Sequence, residues 1–138
     1  MAFVLYGLLG EEAPDVSIDS LATDLRTFFS QTQGFGLEFE ADPFDPLRRN
    51  LVLSWGAWWV RVFYETGPEV LADSITIEAM AGEESPKRRI AQIGRRIRVL
   101  FADDEGREHT NQIVFVMDFL SAIPGITVFD PQRHEFVA

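Results

Sequence analysis

The sequence contains no cysteine. A disulfide scaffold, a thiolate zinc site and a cysteine nucleophile are thereby excluded. Lysine is nearly missing as well, since only Lys87 stands among the twelve basic residues. No apolar run approaches the ~20 residues that span a bilayer. The run Phe3–Leu9 has no basic residue before it, and Glu11 and Glu12 stand where small residues would mark a cleavage site. It reads as a strand and not as a signal peptide, and a cytoplasmic location is expected. Local catalytic signatures are missing too. There is no Gly-x-Ser-x-Gly elbow and no glycine-rich phosphate loop ending in Lys-Ser/Thr, and Gly34-Phe35-Gly36 is too short for a dinucleotide loop. His109 and His134 do not stand at His-x-x-x-His spacing. No catalytic residue, cofactor or metal site is assigned.

What is present is the composition of one ordinary domain. The 138 residues, 46% of them hydrophobic, suffice for a core without metals or disulfides, because a chain of this size buries roughly 70% of its unfolded surface. Residues 1–138 are read as a single domain. Twelve phenylalanines imply that its core is rich in aromatic rings.

The formal net charge is -10, and it is uneven. Residues 87–98 hold Lys87, Arg88, Arg89, Arg95, Arg96 and Arg98 and no acidic residue. The remainder holds six basic against 22 acidic residues, a balance of -16. Such a field repels nucleic acid and acidic membranes and speeds encounter with a basic partner. The basic segment needs compensation, which salt bridges to acidic residues of the chain or of a second copy supply more readily than phosphate. No aromatic side chain is interleaved there to stack bases.

Hydrophobic periodicity orders the chain as β-α-β-β-β-α-α-β-α-β-β. Strands are expected over Phe3–Leu9, Leu37–Ala41, Leu51–Ser54, Ala57–Glu65, 96–102, 126–129 and 134–137. Helices are expected over 18–32, with Ser17 as N-cap and Gly34 closing it, then over 68–80, from Ser85-Pro86 to Gly94, and over 110–122. A capping box of the form Thr66-Gly67-Pro68-Glu69 opens the second, although the β-branched Ile75-Thr76-Ile77 argues against it. Hairpins outnumber helical crossovers. The fold class is therefore α+β, a mainly antiparallel sheet of about five to seven strands with three to four helices packed mostly on one face.

All three tryptophans lie in Trp55-Gly56-Ala57-Trp58-Trp59-Val60-Arg61-Val62-Phe63-Tyr64-Glu65. With Trp55-Gly56 as a two-residue turn, Leu53 meets Trp58, Leu51 meets Val60 and Asn50 meets Arg61. Trp58, Val60, Val62 and Tyr64 then form the core side. Trp59, Arg61 and Phe63 form a mixed face with two readings. They lie beneath the chain's own loops, such as the proline-rich segment 42–50, with Arg61 reaching outward, or they form an exposed partner-binding surface.

Two acidic groups complete the candidates. Glu38 and Glu40 share one strand face, as an acid/base pair or as the solvated side of an edge strand. Asp103, Asp104 and Glu105, with Glu108 and His109, are the densest set of hard-metal ligands. They do not match the calcium-loop pattern, and acidic residues ahead of a helix favour its positive end.

The leading expectation is a small cytoplasmic bacterial protein that binds a basic protein partner without catalysis, in the manner of an immunity-type inhibitor. Trp59, Arg61, Phe63, Glu38, Glu40, Asp103, Asp104 and Glu105 are the expected contact residues. No cofactor is expected, nor a nucleic-acid or membrane partner. The alternatives are a structural or regulatory homo-oligomer, such as a homodimer, joined through residues 87–98, and a small metal-dependent hydrolase built on the loop 103–109.

Overall fold

The computed structural model describes residues 2–81 and 89–137. The elements are β1 (Phe3–Leu9), α1 (Ile18–Phe28), β2 (Phe35–Ala41), β3 (Arg49–Trp55), β4 (Trp58–Thr66), α2 (Pro68–Ala81), a 3-10 turn (Ile90–Gln92), β5 (Arg95–Phe101), α3 (Thr110–Ser121), β6 (Ile126–Asp130) and β7 (Glu135–Phe136). Among the described residues the seven strands form one sheet, in the order β2-β3-β4-β5-β1-β6-β7, antiparallel at every step. The fold is α+β, as the hairpin-rich order predicts.

Period-two alternation gives the sheet two faces. Leu5, Leu51, Leu53, Val60, Val62, Ile97, Val99, Phe101 and Val128 point to one face and pack with Leu21, Leu25, Val116 and Leu120 of α1 and α3. On the other face Leu8 and Phe129 meet Ile77 of α2 and Ile90 and Ile93 of the 3-10 turn. Two helices thus cover the first face. The third lies over the β1 and β6 part of the second and touches β4 and β5.

The local causes are legible. Ser17 and Ser20 cap α1 reciprocally, with Ser20 N donating to Ser17 Oγ at 3.0 Å and Ser17 N donating to Ser20 Oγ at 2.8 Å. The helix ends at Phe28 and not at 32, because Phe29 leaves helical geometry (φ -98, ψ 16) to stack on Phe35 at 4.8 Å and meet Trp55 edge-on at 5.3 Å. In α2 the β-branched run stays helical because Val70, Ser74 and Ile77 form its buried stripe, and Ser74 Oγ donates to Ile93 O at 2.7 Å. Tertiary packing overrides propensity there.

The predicted hairpin register shifts by two residues. The turn is Gly56-Ala57, and Trp55 pairs with Trp58, Leu53 with Val60 and Leu51 with Val62. Gly56 has φ 64, the positive value needed at the first central position of a type II′ turn. A shift of two preserves side-chain parity, so the faces keep their expected membership. The helix expected from Ser85 to Gly94 is not continuous. Ile90–Gln92 is a 3-10 turn preceded by Arg89 at φ 53, and the expected start at 85–88 lies outside the described residues.

Candidate functional site

Among the described residues no helix packs over β2 and β3 on the second face, and Trp59, Arg61 and Phe63 of β4 stay partly exposed there. Strand pairing sets the side chains of this face in rows across the sheet. One row runs Glu38, Val52, Arg61, Leu100 and Val4. The row beside it brings together Glu40 with Asn50, and Phe63 with Arg98 and Tyr6. On the other side Gly36 and Ser54 meet Trp59. Five of the eight expected contact residues, Trp59, Arg61, Phe63, Glu38 and Glu40, therefore share one face.

The charges on this face are fixed in place. Arg61 Nε donates to Glu40 Oε1 at 3.0 Å and Nη2 to Oε2 at 3.2 Å, a bidentate pair, while its guanidinium lies 4.3 Å over the Trp59 ring. Asn50 Nδ2 donates to the same carboxylate at 3.1 Å. The hydrogen bonds from Arg61 and then Asn50 hold the Glu40 carboxyl below the usual glutamate range. Arg98 lies 4.0 Å over the Phe63 ring and donates to Glu65 at 3.1 Å. Glu65 also accepts from Arg96 at 2.9 Å, and Arg96 reaches Asp73 of α2 at 2.8 Å beneath the Tyr6 ring. Burial works against the charge on Arg96, but the bonds from Asp73 and Glu65 outweigh it and raise its pKa further.

Trp59, Arg61 and Phe63 are all half-buried, each ring lying against an arginine. Trp58, by contrast, is 7% exposed and donates its indole N–H to Ala102 O at 3.2 Å. Sequence parity separates these neighbours. The pairing of Arg98 with Phe63 was not anticipated, because Arg98 belongs by sequence to the basic segment.

The loop between β2 and β3 borders the face. A cavity of about 130 Å³ lies between Asp42 and Arg48 of this loop, Arg49 at the start of β3, and Phe63, Glu65 and Arg98 of the face. The loop repeats Asp-Pro-apolar twice, Asp42-Pro43-Phe44 and Asp45-Pro46-Leu47. In each repeat the aspartate accepts the N–H two residues on, from Phe44 at 2.8 Å and from Leu47 at 3.1 Å. These are consecutive Asx turns. They hold Phe44 and Leu47 outward at 96% and 93% exposure. By sequence the segment is a proline-rich break between strands and a candidate cover for Trp59 and Phe63. The tandem repeat, each copy ending on an apolar residue, was the available signal.

Asp103, Asp104 and Glu105 do not lie among the strand rows of the face. Their loop follows Ala102, whose N–H donates to Trp59 O at 3.1 Å, so it starts at the same end of the sheet as Trp59. Asp104 accepts from the N–H groups of Glu108 and His109 at 3.0 and 3.1 Å, which closes the loop just ahead of α3. This is local side-chain-to-backbone bonding of a loop. Among the described residues no three His, Asp or Glu side chains come together as a metal site. The His109 ring stacks flat on Trp58, with centroids 4.5 Å apart at 5°.

Half of the basic segment, three of its six residues, is engaged within the chain. Arg95 donates to the carbonyls of Gly10, Ala13 and Pro14 at 3.1, 2.6 and 2.8 Å, and Arg96 and Arg98 are paired as above. Lys87 and Arg88 lie outside the described residues. A cleft of about 830 Å³ is lined by Gly10, Glu11, Glu12, Arg89, Gln92 and Arg95 among others, and Arg95 is already committed there to backbone carbonyls.

Fold and site together define the class: an α+β domain with a seven-stranded antiparallel sheet, one face sheathed by helices and the other half open with an aromatic–arginine ladder. Comparison with protein-family models, with curated proteins and with solved structures returned no match.

Proposed function

We propose that the protein is a non-enzymatic protein-binding domain that receives a basic protein partner on the open half of its sheet. The immunity-type inhibitor, a small acidic cytoplasmic protein masking a basic toxin, is the concrete form of this reading. The observation that carries it is the ladder on an uncovered face. Tryptophan, phenylalanine and arginine are enriched at the centres of protein interfaces. Here the arginines are held over the rings by Glu40 and Glu65 before any partner arrives, so little side-chain freedom remains to be lost on binding. Phe44 and Leu47 stand at the border as exposed apolar contacts. The net charge of -10 would steer a basic partner towards the molecule.

No observation favours association of two copies through residues 87–98, because Arg95, Arg96 and Arg98 are spent internally. A metal-dependent reaction on the loop 103–109 likewise finds no support, since Asp104 is engaged by the backbone N–H groups of Glu108 and His109.

Photo-cross-linking in the native host tests the proposal. A photoreactive side chain at Trp59 or Phe63 should give one specific protein adduct, and one at the exposed Asp24 of α1 should give none. With the captured partner, Arg61→Ala should weaken binding by about tenfold or more, the loss expected of an interface hot spot. Affinity should fall as salt rises. Equal adducts at Asp24 and Trp59, or no adduct at either, would remove the reading.

A further inference from the structure

β2 is the last strand of the sheet, and its free edge has a definite chemistry. Asp42 N donates to Arg48 O at 2.8 Å, in phase with the pairs Glu40–Asn50 and Glu38–Val52. The even residues of this segment therefore bond to β3. Antiparallel pairing alternates, so Phe35, Leu37, Phe39 and Ala41 turn their N–H and C=O groups outward, where no further strand lies among the described residues. The seven residues Phe35–Ala41 contain no proline, and they pair in unbroken register with β3. Such an edge is a template for another extended chain.

The side chains specify what that chain should be. Phe35, Leu37 and Phe39 are half-buried on the helix-covered face and leave apolar surface at the edge. Glu38 and Glu40 point to the open face. Glu40 is committed to Arg61, whereas Glu38 is exposed and has no ionic or hydrogen-bond partner among the described residues. A second copy of β2 fits poorly. Self-pairing centred on Glu38 or on Phe39 sets Glu38 opposite Glu38 or Glu40, and like charges directly opposite are unfavourable.

We infer that β2 is a docking edge for an extended peptide of alternating basic and apolar residues, which joins the sheet as a further strand with its cations beside Glu38. The inference rests on the protein-binding reading above and adds a mode of recognition to it. Backbone bonds to Leu37 and Phe39 would supply affinity, and the alternation of side chains would supply selectivity.

Amide-resolved hydrogen exchange on the whole protein tests it, with a capped octapeptide alternating lysine and valine and a control alternating glutamate and valine. With the lysine peptide in excess, the outward amides of Leu37 and Phe39 should slow by about tenfold or more, as hydrogen bonding opposes exchange. Those of Glu38 and Glu40, already bonded to β3, should change little. Glu38→Lys should weaken the lysine peptide roughly tenfold and admit the glutamate peptide. Leu37→Pro removes an outward N–H that β3 does not use and should abolish the protection. Trp59→Ala, which alters only the open face, should leave it intact. Failure of the edge is thereby distinguished from failure of the face. Equal protection by both peptides, or by neither, overturns the inference. Protection that appears with protein concentration alone also overturns it, by naming a second copy as the occupant.

Discussion

Glu40 shows at the scale of one residue how the open face is held together. Its carboxylate takes two bonds from Arg61 and one from Asn50, and its pKa is lowered accordingly. A lowered folded-state pKa means that the bonds stabilise the fold above the ordinary glutamate value of 4.5, and that this contribution disappears as pH falls through the lower folded value. Because the pair is partly solvated, its worth is at most ~1 kcal/mol. Urea denaturation should therefore find Glu40→Gln less stable than the parent protein by up to that amount at neutral pH. The two should converge as pH falls below the ordinary glutamate value. A difference that persists or grows in acid would contradict the assignment. The charged character of Glu38 and Glu40 was legible from strand alternation alone. The distinction between them was not, because it depends on Arg61 reaching across from β4.

At the scale of elements, two glycines separate backbone conformation from packing. Gly34, in the turn after α1, has φ 80, and an added Cβ there would meet nothing within 4 Å. Gly125, between α3 and β6, has φ 73, and its Cβ would fall 2.5 Å from Ala13 N and 2.8 Å from Glu12 C. Gly34→Ala should cost about 1 kcal/mol, the strain of the left-handed conformation. Gly125→Ala should cost roughly 2–4 kcal/mol, since backbone must also move. Denaturant midpoints of the two variants check the ordering, and similar losses would show that the approach of residues 12–13 to Gly125 is wrong. By sequence Gly34 is expected to close α1, but Phe29 ends that helix earlier, and Pro124-Gly125 is expected to stop α3, which ends just before it. That one of them also carries a close backbone crossing follows from long-range packing, and nothing local to Pro124-Gly125 reveals it.

The whole molecule is tied together by β1. Its alternate residues enter both cores, Leu5 and Leu9 on the side of α1 and α3 and Leu8 on the side of α2. Neither core can be lost without exposing a central strand, so unfolding should be a single cooperative transition. Far-UV circular dichroism and tryptophan fluorescence should give one midpoint, although all three tryptophans belong to the other core and not to the cluster of Ile77. Ile77→Ala should lower stability by about 2–4 kcal/mol and move both signals together. Separate midpoints would show that α2 and the 3-10 turn form an independent unit.

The sequence by itself determined the α+β class, the antiparallel hairpins, nearly all the elements and the face to which each residue of β4 points. These follow from periodicity and turn residues, which are local, and parity survives even a register error of two. Tertiary structure alone decided that α2 covers only one half of the second face, leaving Trp59, Arg61 and Phe63 open while burying Leu8 and Phe129. It also decided that Arg98 belongs with Phe63 and not with an external anion, and that β2 is an edge. Each of these depends on which strands and helices become neighbours, a choice made by long-range burial of apolar surface that no short stretch of sequence encodes.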